Sequence, residues 1–202
     1  MGLAASIGMP PSVVLIHGGL GEDMDADRFW RRPGILTGFE AAGLIVRAPD
    51  RDTSPRSWRA ASESAAAELV EPTSIVAGSN GVSVGARLAI DHPERVTRLV
   101  LAWPATASDP DVDARVPAVA RHLLSGETLR GVIDDELAGL DVPVLIVPSD
   151  PPNRAHAPHT VDRPVALVRH VTLTPGFPEP PRPEFAARRP AFLDALVPFL
   201  AT

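Results

Sequence analysis

Cysteine and lysine are both absent from the 202 residues of the sequence. Without cysteine, the chain cannot form disulfides, thiolate metal sites or a cysteine nucleophile. Without lysine, it cannot form a Schiff base or use the lysine of a phosphate-binding loop. The arginine bias accompanies abundant alanine and proline, so we attribute it to genomic composition. Metal ligation by thiolates and lysine-based covalent chemistry are therefore excluded at the outset.

Long apolar runs and an excess of positive charge are also missing. No run approaches the roughly 18 residues that a membrane helix needs. The first twelve residues lack the basic and apolar regions of a signal peptide. The net charge of -6 leaves no excess of cations for a nucleic acid. We therefore expect a cytoplasmic protein whose partner is a small-molecule substrate, with no nucleic acid and no membrane; the oligomeric state is not predicted.

Short apolar runs of β type alternate with helical patterns along the chain. This alternation predicts an α/β fold with three layers, α/β/α, around a mostly parallel sheet of about six strands. The length fits a single domain over 1–202, with a short helical connection at about 107–140. The predicted strands cover residues 13–16, 44–47, 74–77, 98–102, 144–147 and 171–174.

A serine follows the third predicted strand directly. The strand leads into a turn of small residues at Gly78, Ser79, Asn80 and Gly81, and a helical pattern begins after it. Such a sharp turn exposes the serine hydroxyl above the sheet, and it needs small residues two before and two after the serine. Ala77 and Gly81 meet that need. The sequence thus predicts Ser79 as a nucleophile and the N–H of Asn80 as an oxyanion donor, although an N-cap serine would have the same local pattern.

The literal G-x-S-x-G motif occurs four residues later, around Ser83. Ser83 follows a Ser-Asn-Gly segment and would lie one turn inside the helix. Small residues around it are better explained by packing of the helix on the sheet. Because the motif is meaningful only between a strand and a helix, we favour Ser79.

The stretch from Ala77 to Pro104 resembles the α/β-hydrolase superfamily. The elbow reads Ala-Gly-Ser-Asn-Gly, and its helix ends in the segment His-Pro-Glu-Arg-Val at 92–96. Upstream, a strand ends in His17-Gly18-Gly19, where the family places its second oxyanion donor. The resemblance covers nearly the whole chain and implies a reduced α/β-hydrolase fold, with Gly19 beside Asn80 in the oxyanion hole and Asp150 as the acid that follows the strand at 144–147.

The resemblance implies a carboxylesterase-like serine hydrolase that acts on small ester or thioester substrates through an acyl-enzyme. No cofactor or metal is expected for this reaction. The family's catalytic histidine, however, follows its last strand, and here the corresponding residues 174–180 contain no histidine. His156 and His159 lie in the proline-rich loop after Asp150. We therefore expect His156 as the base, with His159 and Glu179 as alternative bases or orienting groups.

Two other classes of function are compatible with parts of the sequence. The missing histidine is compatible with a protein that keeps the fold without hydrolysis, and that binds a small ligand or catalyses a lyase or isomerase step. The segment Gly18-Gly19-Leu20-Gly21 after a strand is similar to a dinucleotide-binding loop. Residue 24 is Met24 where that motif requires its third glycine, so we discount the dinucleotide interpretation.

Overall fold

A computed structural model describes residues 10–202 and contains one six-stranded sheet, in which all strands are parallel and ordered β2-β1-β3-β4-β5-β6. The strands are β1 Ser12–Ile16, β2 Ile45–Arg47, β3 Thr73–Gly78, β4 Val96–Ala102, β5 Val144–Val147 and β6 Val171–Leu173. The predicted fold class is confirmed. Residues 1–9, on which much of the signal-peptide expectation rests, lie outside the described residues.

Successive strand residues point to opposite faces of the sheet and build two apolar layers. Val14 and Ile16 of β1 join the layer that includes α2 and α3, whereas Val13 and Leu15 join the layer that includes α1 and α7. The second layer is rich in aromatic side chains, and Trp103 stacks on Phe192 with ring centroids 5.2 Å apart. This alternation follows from the two-residue period of a strand. Because both faces of the sheet are covered, β1 and β5 consist almost entirely of buried apolar residues.

The described part of the chain forms seven α-helices. They are α1 Ile35–Ala41, α2 Trp58–Ala67, α3 Gly81–Asp91, α4 Pro110–Asp113, α5 Asp134–Ala138, α6 His159–Leu167 and α7 Phe185–Leu200. No helix between residues 10 and 202 has the length and apolar character required to cross a membrane.

The connection at 107–140 contains less helix than the sequence predicts. Only the short helices α4 and α5 and a 3₁₀ turn at Ala118–Leu123 form there. Gly126 and Gly131 have φ values of 129° and 71°, which interrupt a helix, and Pro117 precedes the 3₁₀ turn. The connection is therefore short and mostly irregular.

The strand order places a topological switch point between β1 and β3. The chain passes from β1 to one edge strand, β2, and then returns to β3 on the other side of β1 before it continues to β6. In open α/β sheets, ligands bind beyond the carboxyl ends of the strands at such a point. The loops after β1, β3, β5 and β6 all lie at this end of the sheet, and they contain the residues predicted for the site.

Candidate active site

The turn after β3 holds Ser79 in a strained conformation. Ser79 has a φ of 52°, in the left-handed region that residues other than glycine rarely adopt. Helix α3 begins two residues later, at Gly81. Its N–H donates to the carbonyl of Ala102 at 3.0 Å, which extends the β3–β4 ladder into the turn. A Cβ on Gly81 would lie only 2.4 Å from the carbonyl oxygen of His17. The close approach of strand and helix thus requires glycine at this position.

Ser83 lies in a different environment, one turn inside α3. It is 4% exposed and belongs to the buried face of the helix. A Cβ on its neighbour Gly85 would lie 2.8 Å from Cβ of Ala77. The small residues of the second motif therefore allow α3 to pack closely on β3, whereas Ser79 is partly exposed at the carboxyl end of the sheet.

His156 reaches the serine from the loop that follows β5. Its Nε2 lies 3.1 Å from Oγ of Ser79. The loop is attached to the segment after β4, because the N–H of Thr106 donates to the carbonyl of Ala155 at 2.8 Å and Thr106 Oγ1 accepts the N–H of Ala157 at 2.9 Å. These two bonds flank His156 and place its imidazole over the turn.

Glu179 supplies the carboxylate on the other side of the imidazole. Its Oε1 lies 2.7 Å from Nδ1 of His156, and the residue is 6% exposed. The pairing of β5 with β6 continues into the loops as a bridge between Ser149 and Phe177, which brings the two loops together. The Oγ of Ser149 donates to Oε1 at 2.7 Å, and Nε of Arg182 lies 2.6 Å from Oε2.

The surroundings of Glu179 keep it ionised. Burial alone would raise the pKa of Glu179, but hydrogen bonds from His156 and Ser149 and the attraction of His156 outweigh burial and lower this pKa to about 2. An ionised carboxylate 2.7 Å from Nδ1 favours the tautomer of His156 that has its proton on Nδ1. The Nε2 of a neutral His156 is then left as an acceptor for the hydroxyl proton of Ser79.

Asn153 forms hydrogen bonds with both members of the pair, His156 and Glu179. Its Nδ2 donates to Oε1 of Glu179 at 2.7 Å and to Oγ of Ser149 at 3.1 Å. Its Oδ1 accepts the backbone N–H groups of Ala155 and His156 at 3.0 and 3.2 Å. One amide side chain thus fixes both the carboxylate and the backbone beneath the histidine.

The two predicted oxyanion donors lie in the loops that follow β1 and β3, at the same end of the sheet as Ser79. Gly19 lies in the loop after β1 with a φ of 94°, and Asn80 lies at the start of α3. Among residues 10–202, neither backbone N–H donates to a protein acceptor. The Oδ1 of Asn80 accepts from Nη1 of Arg130 at 2.8 Å, and Arg130 is 3% exposed. This bond ties the connection at 107–140 to the elbow.

Asp150 and His159 lie outside this constellation. Asp150 is exposed, and neither a hydrogen bond nor an ion pair joins its side chain to His156. His159 is exposed at the first position of α6 and lines a separate surface groove with Arg163. The structure therefore places Glu179, not Asp150, beside the imidazole, and it brings together Ser79, His156 and Glu179.

Sequence reasoning missed several residues that hold the site. Ser149, Asn153, Arg182 and Arg130 have no motif around them, because each acts through a tertiary contact. A weak signal existed for Glu179, which lies where the resemblance places a histidine. Relative to that resemblance, the histidine and the carboxylate have exchanged loops, so that the order along the chain is serine, histidine, carboxylate. In the part of the chain that the structure describes, no three His, Asp or Glu side chains are grouped to hold a metal ion.

Comparison with known proteins agrees with the fold. No family model and no curated protein matches the sequence. Among solved structures, the meta-cleavage product hydrolase CumD from Pseudomonas fluorescens IP01 matches with a TM-score of 0.72 at 16% identity, over 95% of this chain and 91% of that one. The 2-hydroxy-6-oxo-6-phenylhexa-2,4-dienoate hydrolase BphD from Rhodococcus sp. strain RHA1 matches with a TM-score of 0.68 at 19% identity, over 92% and 90%.

A third structure extends the same likeness to an esterase. The esterase RhEst1 from Rhodococcus sp. ECU1013 matches with a TM-score of 0.67 at 14% identity, over 95% of this chain and 91% of that one. At these identities the likeness is one of fold. The chain has the α/β-hydrolase fold, as its sequence predicts.

Proposed function

We propose that this protein is a serine hydrolase of small ester or thioester substrates, with Ser79 as the nucleophile. One observation supports the proposal above all others: Ser79 Oγ, the imidazole of His156 and the carboxylate of Glu179 form a continuous chain with distances of 3.1 and 2.7 Å. A serine hydroxyl is a poor nucleophile until a base takes its proton, and this arrangement provides the base and the group that orients it.

The reaction begins when Ser79 Oγ attacks the substrate carbonyl while Nε2 of His156 takes the hydroxyl proton. The resulting oxyanion accepts hydrogen bonds from the N–H groups of Gly19 and Asn80. His156 then gives its proton to the leaving alcohol or thiol, and an acyl-enzyme remains on Ser79. Water, activated by the same imidazole, releases the carboxylic acid and restores Ser79.

The partial exposure of the site is compatible with a substrate that enters directly from solvent. Ser79 and Asn80 are partly exposed, and the connection at 107–140 forms only two short helices. The similarity in fold to two hydrolases and an esterase is compatible with the proposed reaction class. Ionised Glu179 stabilises the imidazolium that forms during both proton transfers.

Intact-mass analysis after treatment with a fluorophosphonate probe tests the proposal directly. We expect one adduct on the wild-type protein, located at Ser79, together with turnover of p-nitrophenyl acetate. The Ser79→Ala variant should show neither, whereas Ser83→Ala should keep both if it stays folded. A folded wild-type protein without adduct or turnover would contradict the proposal and favour a ligand-binding role for the same fold.

A further inference from the structure

Arg51 follows β2 and binds the loop after β1 that contains Gly19. Its Nε donates to the carbonyl of His17 at 2.8 Å, and its Nη2 donates to the carbonyls of Gly18 and Gly19 at 3.0 and 2.6 Å. Its backbone N–H also donates to Nε2 of His17 at 3.0 Å. A single residue thus makes four hydrogen bonds to three consecutive residues of this loop.

These bonds determine the orientation of the peptide between Gly18 and Gly19. The carbonyl of Gly18 accepts both from Arg51 and from Nδ1 of His17, the latter at 2.8 Å. In a trans peptide, the carbonyl of one residue and the N–H of the next point in opposite directions. Donors that hold the Gly18 carbonyl on one side therefore direct the N–H of Gly19 to the other side.

The protonation states of His17 and Arg51 agree with this arrangement of donors and acceptors. Burial, followed by the nearby Arg51 charge, lowers the pKa of His17, which favours a neutral ring with one donor and one acceptor nitrogen. Burial lowers the pKa of Arg51 to about 10, so its guanidinium remains charged at neutral pH. The ring and the guanidinium thus keep their donors in place over the pH range in which a serine hydrolase works.

The same loop lies directly against the nucleophile. A Cβ on Gly18 would be 2.9 Å from Cβ of Ser79, and a Cβ on Gly81 would meet the carbonyl of His17. Two consecutive glycines can rotate their shared peptide at little cost, because glycine populates positive and negative φ almost equally. The orientation of this peptide therefore depends on the groups that bind its carbonyl.

We propose that Arg51 is a positioning residue that holds the Gly18–Gly19 peptide so that the Gly19 N–H serves as an oxyanion donor. This inference rests on the proposed function, since it concerns the transition state of the same site. Arg51 acts through the loop and does not touch the substrate. Its loss should weaken stabilisation of the oxyanion while the Ser79–His156–Glu179 chain stays intact.

A cavity beside Arg51 makes a rescue experiment possible. Arg51 lines a cavity of about 440 Å³ together with residues of β1 and α2, and Arg56 lines the same cavity. Removal of the Arg51 side chain leaves space that free guanidinium can enter. Arg56 is exposed and its closest ion-pair partner, Glu63, lies 3.9 Å away, so Arg56→Ala is a matched control for the loss of an arginine.

The test measures kcat and KM for p-nitrophenyl acetate in Arg51→Ala, with guanidinium chloride added at low, non-denaturing concentration. Loss of one oxyanion donor lowers kcat by about 10²–10³-fold in serine hydrolases, and partial misorientation should cost about 10- to 100-fold here. We expect KM and the pH of half-maximal activity to stay near the wild-type values. Guanidinium should restore part of kcat in Arg51→Ala and have no such effect on Arg56→Ala.

Retention of wild-type kcat in folded Arg51→Ala would overturn the inference, and so would a loss that guanidinium does not relieve. If Arg51→Ala does not fold, Arg51→Gln provides the decisive measurement, because its amide keeps an N–H donor group without the guanidinium fork or the charge. A lowered kcat with unchanged KM in Arg51→Gln supports the inference, and wild-type kcat contradicts it. Failure of the proposed function is distinguishable, since the wild-type protein itself would then neither turn over the ester nor form the fluorophosphonate adduct.

Discussion

The elbow at Ser79 and the histidine–glutamate pair reach the same end of the sheet by different physical means. Backbone geometry builds the elbow: β3 ends, Ser79 takes a φ of 52°, and α3 starts at Gly81. Side-chain contacts between two separate loops build the pair, with Asn153 as the connecting amide. The elbow should therefore be sensitive to added volume, and the pair should be sensitive to changes in charge and hydrogen bonding.

The largest effect on activity should come from removal of the proposed base, His156. We expect His156→Ala to lower kcat/KM for p-nitrophenyl acetate by about 10⁴-fold or more, because Ser79 loses the acceptor for its proton. His159→Ala is the matched control, since this histidine lies on the same segment but outside the constellation, and it should retain activity. A larger loss in His159→Ala than in His156→Ala would show that the imidazole at 3.1 Å is not the base.

The next largest effect on activity should come from neutralisation of Glu179, the proposed orienting carboxylate. Glu179→Gln keeps the size of the side chain but no longer holds the imidazole in the required tautomer or stabilises the imidazolium, and comparable changes cost about 10³–10⁴-fold in kcat. Asp150→Asn tests the position that the family resemblance assigns to the acid, and it should leave kcat nearly unchanged. Steady-state kinetics in which Asp150→Asn loses more activity than Glu179→Gln would reverse this assignment.

The contrast between these two regions also explains what the sequence could predict. All six predicted strands form, and Ser79 could be distinguished from Ser83, because a strand, small residues and a helix are local signals. The connection at 107–140, predicted as helical, forms only short helices and a 3₁₀ turn, since Gly126 and Gly131 adopt positive φ there. The partner of His156 could not be predicted with the same certainty, because contact between two loops depends on the register of β5 with β6.

Added volume should damage the elbow to an intermediate extent. A Cβ on Gly81 would lie 2.4 Å from the carbonyl of His17 and 2.7 Å from that of Ile16, so Gly81→Ala must move backbone atoms. We expect a decrease of about 1–3 kcal/mol in the free energy of unfolding, measured with urea, together with reduced kcat. Gly139→Ala is the control, because the nearest atom to its Cβ would be 3.4 Å away at the end of α5. Equal stability of Gly81→Ala and wild type would contradict this steric account of the elbow.

The smallest effect should come from Asn153→Asp, which changes charge with almost no change in volume. The variant places a second carboxylate beside Glu179, at the position where Nδ2 now donates at 2.7 Å. Repulsion should raise the pKa of Glu179 from about 2, although His156 and Arg182 on its other sides still favour the ionised form.

The sign of the pH dependence follows from this shift. In the wild type, the stability that ionised Glu179 contributes is present above its ordinary pKa near 4.5 and is lost as pH falls through about 2. In Asn153→Asp the folded-state pKa of Glu179 lies closer to the ordinary value, so the acid-induced loss should be smaller and should be complete at a higher pH. The kcat/KM at neutral pH should fall by about tenfold as the loop contacts weaken. Asn153→Ala removes the Nδ2 donations to Glu179 and Ser149 without adding charge, and it also removes the Oδ1 acceptor that Asp keeps. Urea titrations from pH 2 to 7 therefore isolate the added charge as the difference in the pH range of the stability loss. If both variants lose stability over the same pH range, repulsion between residue 153 and Glu179 does not control the stability of the histidine–glutamate pair. The proposed contrast with the elbow then fails.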